Sequence, residues 1–165
     1  MELRRPNLTD KEIVLDMMKE FEESGSAHDG GFWNVEDFDY EDWLEGNVDA
    51  EVGLNIPPTW VPAIQFVGFE GGKAVGFLSL RLRLNDYLFN VGGHIGYSIR
   101  PSARGKGYAK EMLKQGLQEA KQKNIQEALV TCHTDNLASR AVIMANGGQL
   151  EDIREQVERY WIDLS

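Results

Sequence analysis

The chain has 165 residues, of which 42% are hydrophobic and 27% are charged. This length fits one domain, predicted to span residues 1–165, and the composition is too apolar for a disordered chain. The 27 acidic and 17 basic side chains give a net charge of −10, which disfavours a nonspecific binder of nucleic-acid phosphates.

The first half is predicted to contain a strand, two helices and a hairpin. A strand over 3–5 precedes a helix that the capping-box pattern Thr9-x-x-Glu12 begins and Gly25 ends. Residues 34–51 hold eight acids and no base and predict a short helix, and a proline-rich loop follows over 53–62. Two β-rich runs, 63–69 and 74–84, flank a glycine pair and predict the hairpin. Helix residues at core-facing spacing are Val14, Met17, Met18 and Phe21.

The second half alternates strands with helices. A strand over 94–99 is followed by the clearest amphipathic helix of the chain, with its apolar stripe from Ala109 to Ala120. A strand over 128–132 comes next, and then a helix capped by Asp135 or Asn136 whose inner face is predicted to be Ala138, Ala141, Val142 and Ala145. Two strands end the chain, so the predicted order is β-α-α-β-β-β-α-β-α-β-β.

The segment 104–109 carries the most informative motif. Its sequence, Arg-Gly-Lys-Gly-Tyr-Ala, follows a strand and enters the strongest helix. Glycines at such a place let successive N–H groups and the positive helix end point at one spot, which suits a pyrophosphate. A Walker loop does not match, and Lys110 stands where a dinucleotide fingerprint needs its third glycine. A plain tight turn is the other interpretation of the glycines.

The pattern [QR]-x-x-G-x-[GA], satisfied by Arg104, Gly107 and Ala109, resembles motif A of the GNAT superfamily of N-acetyltransferases. The segments G-H-I-G-Y-S-I-R-P at 93–101, N-L-A-S at 136–139 and R-Y-W-I at 159–162 also look like a bacterial branch of that superfamily. The resemblance implies an α/β (α+β) fold with a mixed, splayed central sheet of six to seven strands flanked by about four helices.

The same resemblance implies acetyl-CoA as cosubstrate, bound where the strands 94–99 and 128–132 separate. Pantetheine would pair with backbone around Tyr97, Ser98 and Ile99, and Asn136 and Ser139 would touch the pantetheine arm or the thioester. The pyrophosphate would lie on the loop residues Arg104, Gly105, Lys106, Gly107, Tyr108 and Ala109. Homodimers are frequent in the family, so a homodimer is one expected form.

Proton transfer is left open by the sequence. Many family members carry a tyrosine at the position of Ile143, so the usual acid is missing, and Tyr97, Tyr108 and Tyr160 are the alternatives. For the base, His94 and His133 are candidates because a histidine titrates near neutral pH. Each has a structural alternative, namely a strand histidine bonded to backbone, or a packed tyrosine.

We therefore predict an enzyme that transfers an acetyl group from acetyl-CoA to a primary amine of a small molecule or protein. A non-catalytic acyl-CoA sensor is the alternative. Because residues 1–70 carry a net charge of −13, the amine is predicted to be cationic, with segment 34–51 in the wall of its site. No apolar run suggests a membrane span or signal peptide, and Cys132 has no partner, so we expect a cytoplasmic protein without membrane, nucleic-acid or metal partners.

Overall fold

A computed structural model describes all residues, 1–165, and contains seven strands and four α-helices in the predicted order. The strands are β1 (Glu2–Arg4), β2 (Ala63–Glu70), β3 (Lys73–Arg81), β4 (Ile95–Ile99), β5 (Glu127–His133), β6 (Gln149–Arg154) and β7 (Val157–Asp163). The helices are α1 (Lys11–Ser24), α2 (Tyr40–Glu51), α3 (Tyr108–Gln122) and α4 (Leu137–Ala145). None of them is both long and apolar enough to cross a bilayer.

The strands form two antiparallel sheets that meet at one edge of each. One sheet has the order β1-β2-β3-β4 and the other β5-β7-β6. Helix α3 crosses over between β4 and β5, and a single backbone hydrogen bond joins the two sheets there, from the N–H of His94 to the carbonyl of Leu129 at 2.7 Å. Beyond this bond the strands diverge, which confirms the predicted splayed α+β sheet with about four helices.

Two hydrophobic clusters cover opposite faces of the four-stranded sheet. Alternation along β2 and β3 sends Phe66 and Leu78 to one cluster, with α3, and Val67 and Phe77 to the other, with α1 and α2. Each large side chain that is fully buried in this way contributes about 1.5–3 kcal/mol. The predicted inner face of α1 is confirmed, since its four predicted residues are all buried.

Three local predictions need correction. The capping box is not Thr9 with Glu12: Asn7 caps a short 3-10 turn, and its own N–H donates to the carboxylate of Asp10, because the aspartate is already held by Arg4. Strand β3 ends at Arg81, where a loop and a π-helical turn over Leu88–Gly92 begin. In α4 the buried residue is Ile143, whereas the alanines are exposed, because burying the larger side chain removes more apolar surface from water.

Candidate functional site

One edge of β4 has no strand partner beyond His94. The N–H of Arg100 donates to Val75 on β3, and alternate residues of an antiparallel strand point to the same neighbour. The backbone groups of Tyr97 and Ile99 therefore face the gap toward β5. One of them is already used, since Nε of Arg104 donates to the carbonyl of Ile99 at 3.0 Å. The edge thus offers donors and acceptors to an extended ligand.

The loop before α3 presents a run of unpaired N–H groups. Gly105 and Gly107 have φ of +78° and +82°, a left-handed conformation that glycine adopts without strain. From Gly105 to Lys110 no backbone N–H has an acceptor in the protein. Because these donors lie at the positive end of a 15-residue helix, the loop has the geometry of an anion-binding site.

Arg104 holds this loop in place through hydrogen bonds. In addition to Ile99, its guanidinium donates to Oγ of Ser26 at 2.7 Å, so it ties the loop to the segment after α1. Of the two lysines near the loop, Lys110 lines the cavity between β4 and β5 described below, whereas the predicted Lys106 does not. Sequence spacing could have indicated this, because residue 110 lies within the first turn of the helix.

The gap between β4 and β5 opens into a cavity of about 710 Å³, the first cavity. It brings together most of the predicted site. The predicted residues that line it are Tyr97, Ser98, Ile99, Arg104, Gly105, Gly107, Tyr108, Ala109, His133, Asn136 and Ser139. His94, Lys106 and Tyr160 do not line it.

His94 joins the two sheets. Its Nδ1 accepts a hydrogen bond from the N–H of Leu129 at 2.9 Å, and the side chain is buried. Desolvation, aided by the charge of Arg81, lowers the pKa of His94 to about 4. A group that stays neutral and uses its acceptor nitrogen in this way has no lone pair ready for an amine proton, so the geometry argues for the structural alternative.

The other predicted proton carriers differ in position. Tyr160 is buried and donates to Oε1 of Glu158 at 2.8 Å, away from the cavity. His133 is exposed and lines the cavity. It lies four residues past Leu129, and thus about 13 Å along β5 from the hydrogen bond that joins the two sheets. Cys132 is buried, and burial raises its pKa to about 11, which agrees with the predicted packing role.

Tyr97 and Ser139 form a polar pair across the gap. The two hydroxyl oxygens are 2.8 Å apart, and both residues line the first cavity. Burial raises the pKa of Tyr97 to about 12, so its hydroxyl keeps its proton at neutral pH. Asn136 caps α4 as predicted, with Oδ1 accepting from the N–H of Ser139 at 3.0 Å.

A second cavity, of about 1040 Å³, adjoins the first. The two share the loop residues Ala27, Asp29 and Gly30 together with Arg81 and Tyr87, a region that we call the junction. The loop is held there because Oγ of Ser98 donates to the carbonyl of Asp29 and Nε2 of Gln65 donates to that of Gly30. Sequence reasoning missed the junction, since its residues come from three separate segments.

Segment 34–51 forms part of the second cavity, but with uncharged residues. Trp43, Gly46, Asn47 and Ala50 of α2 line the cavity, and none of the eight acids of the segment does. Several of these acids are paired elsewhere, for example Glu51 with Arg5 and Glu41 with Lys11. The acidic composition of the segment therefore does not charge this wall.

Comparison with known proteins identifies the family. Residues 1–149 match the family model described as Acetyltransferase (GNAT) domain. The chain therefore belongs to the GNAT acetyltransferase family, in agreement with the splayed sheet and the loop described above. A comparison with curated protein sequences found no significant match.

Solved structures share the fold over nearly the whole chain. YncA from Salmonella typhimurium, solved with its cofactor acetyl-CoA, is 15% identical, with a TM-score of 0.64 and coverage of 99% of this chain and 94% of that one. A Salmonella typhimurium acetyltransferase that modifies the N-terminal serine of ribosomal protein L7/L12 is 19% identical, with a TM-score of 0.68 and the same coverage. A spermidine N-acetyltransferase from Vibrio cholerae is 16% identical, with a TM-score of 0.63 and coverage of 99% and 95%.

Proposed function

We propose that the protein is an N-acetyltransferase that moves the acetyl group of acetyl-CoA to a primary amine. The observation that carries the proposal is the run of six unpaired N–H groups, Gly105 to Lys110, at the end of the free β4 edge. An anion site continuous with an unpaired strand edge fits a ligand that has a pyrophosphate joined to an amide-containing arm.

The residues of the first cavity fit this cosubstrate. The loop N–H groups would hold the pyrophosphate, with the Lys110 ammonium nearby, and the Tyr97 backbone would pair with the pantetheine amides. Since β4 leads from the loop back to His94, the thioester would lie toward the junction, beside the second cavity. The second cavity is then the place for the amine.

Acetyl-CoA supplies a thioester whose carbonyl carbon forms a bond to the amine nitrogen while the C–S bond breaks and one proton moves, in effect, from nitrogen to sulfur. The N–H of Tyr97 faces the gap on the His94 side of Ile99 and would donate to the thioester carbonyl oxygen. The Tyr97 hydroxyl, protonated at neutral pH and bonded to Ser139, is the donor that we assign to the leaving sulfur. For the amine proton we assign Asp29 as the acceptor, because Asp29 lines both cavities, whereas His133 lines only the first and His94 lines neither.

Turnover separates this function from that of a sensor that only binds acetyl-CoA. The purified protein is incubated with acetyl-CoA and a panel of amines, and free CoA thiol is measured. We expect thiol release above the rate without amine for at least one class of amine. Binding that raises the melting temperature, with no release for any amine, would instead support the sensor.

A further inference from the structure

At the junction, the guanidinium of Arg81 has no carboxylate in direct contact with it, and this feature bears on the choice of acceptor. Arg81 ends β3, and its guanidinium lies against Gly96, where an added Cβ would come within 2.9 Å of Nη2. The absence of a side chain at residue 96 thus leaves room for it. Its hydrogen bonds within the protein are two long ones from Nη1, to the carbonyls of Gly92 at 3.3 Å and Gly93 at 3.4 Å.

No carboxylate of the protein pairs with Arg81, in contrast with the other arginines that the fold buries. Arg100 contacts Asp16 and Glu20, both at 2.9 Å. Arg159 contacts Glu151 at 2.8 Å and Asp152 at 2.6 Å. Arg81 is half-buried, and desolvation lowers its pKa, with smaller opposing effects from Tyr87 and Asp29. Because a guanidinium stays charged in proteins, this one is a half-buried charge without a carboxylate in direct contact.

The second cavity shows another unmet donor. Nδ2 of Asn47, on the cavity wall formed by α2, is buried and has no acceptor. Both residues line the cavity where the amine would bind, but Nδ2 of Asn47 is shielded from it, so the argument for a ligand rests on Arg81. A buried donor without a partner is costly, so a ligand that supplies an oxygen acceptor to Arg81 gains a contact that the free protein lacks.

Around these polar groups the cavity is aromatic. Phe32 and Trp60 pack edge to face with their ring centroids 5.3 Å apart, and Trp43 and Tyr87 complete the apolar wall. Asp29 is the one acid of the junction, and it is exposed. The ligand that suits this set has an anionic group for Arg81, an amine near Asp29 and an apolar body.

We infer that the acceptor is an amino carboxylate with an apolar side chain, whose carboxylate pairs with Arg81 as its amine approaches the thioester. This inference rests on the proposed function and narrows its acceptor from any primary amine to one that also carries a carboxylate. It replaces the cationic amine that the overall charge of residues 1–70 suggests.

The test uses matched acceptors in threes: apolar L-amino acids such as phenylalanine, leucine and methionine, their C-terminal amides, and the amines that lack the carboxyl group. We expect at least one amino acid to have a kcat/KM about 100-fold above its amide and its decarboxylated amine, since a paired charge at a half-buried site carries that much discrimination. Amides or plain amines that match or exceed the amino acids would overturn the inference.

Variants assign the selectivity to Arg81. Arg81→Gln is expected to bring the ratio of kcat/KM for the amino acid to kcat/KM for its amide close to 1. Arg81→Lys should leave an intermediate ratio, because lysine keeps the positive charge but cannot donate two parallel hydrogen bonds to one carboxylate. Arg83→Gln is the control, since Arg83 is an exposed arginine two residues away that lines neither cavity. An unchanged ratio in Arg81→Gln would contradict the assignment.

The outcome also separates this inference from the proposed function. Thiol release with spermidine or a peptide amine, and none with any amino carboxylate, would end the inference and leave an N-acetyltransferase. The stabilisation by acetyl-CoA is measured on each variant in parallel. If Arg81→Gln kept its melting temperature and its acetyl-CoA response while losing acid selectivity, a folding defect would be excluded as the cause.

Discussion

The two cavities are formed by different kinds of groups. The first uses backbone: a strand edge, a run of N–H groups and a helix end, all within residues 94–110. The second uses side chains from the loop after α1, from α2, from the end of β3 and from the turn before β4. A backbone site tolerates many sequences that keep the glycines and the strand, whereas a side-chain site changes its ligand with single residues. The comparison explains why a family can share a donor and differ in acceptors.

The largest effect on ligand binding should come from filling the backbone site. Gly107→Val places a branched side chain in the loop, where an added Cβ meets no atom of the protein and would project into the ligand's space. We expect the rise in melting temperature with acetyl-CoA, equivalent to about 2.7 kcal/mol at a hundredfold excess over Kd, to disappear.

The matched control is Gly71→Val in the β2–β3 turn. Gly71 also has a positive φ, +57°, and open space around it, so the backbone strain is similar while the site lies elsewhere. Acetyl-CoA should still stabilise this variant. Retention of the full response in Gly107→Val would show that the loop does not hold the pyrophosphate.

The next effect concerns His94, at the boundary between the sheets, and the pH dependence of stability. The pKa of His94 is about 4 in the native protein and about 6.5 in the unfolded chain. Between pH 4 and 6.5 the unfolded chain therefore binds a proton at His94 that the native protein does not. Stability is therefore lost as the pH falls from 6.5 toward 4, by up to about 3 kcal/mol from this residue. Urea unfolding at several pH values measures the loss.

His94→Asn tests this directly, because its side-chain oxygen can replace Nδ1 as acceptor for the N–H of Leu129 without titrating. This variant should lose less stability than the wild type over the same pH range. It should also keep the pH midpoint of activity, whereas a base at position 94 would make the midpoint move.

The sequence predicted the local structure around the first cavity well and that around the second cavity poorly. The order of all strands and helices, the cap at Asn136 and the loop at 104–109 follow from local patterns, because glycine, cap and periodicity signals act within a few residues. The junction does not follow from such local patterns. Arg81 ends a strand and Asp29 lies in the loop after α1, so only folding brings these two segments, some 50 residues apart, to one place.

A smaller effect is expected at the loop that separates the cavities. Gly30 lies so close to β4 that an added Cβ would come within 2.6 Å of the carbonyl carbon of Gly96 and 2.9 Å of Cα of Tyr97. Gly30→Ala must push the loop away from the strand. We expect the KM for the acceptor to rise about tenfold, which corresponds to about 1.4 kcal/mol of lost positioning.

Gly25→Ala is the control for this change. Gly25 ends α1 with φ of +62°, in the same connection, but nothing lies within 4 Å of its added Cβ. The variant carries the backbone strain without the collision, so its acceptor KM should stay near the wild-type value. Equal effects in the two variants would mean that strain alone, and not the distance between loop and strand, sets the KM.

The smallest effect is predicted for the acids that dominate the composition of the first half. Asp42 and Glu45 are exposed on α2, and neither lines a cavity, whereas Asp29 lies at the junction. We expect the double variant Asp42→Asn with Glu45→Gln to change kcat/KM by less than about twofold, because exposed charges that do not line the site are screened by water and salt. Asp29→Asn should reduce it several-fold, since Asp29 lines both cavities and is the carboxylate that the proposal places next to the amine. Initial rates at low and physiological ionic strength measure both. A larger loss in the α2 variant than in Asp29→Asn would mean that the acidic surface, and not the junction, attracts the amine.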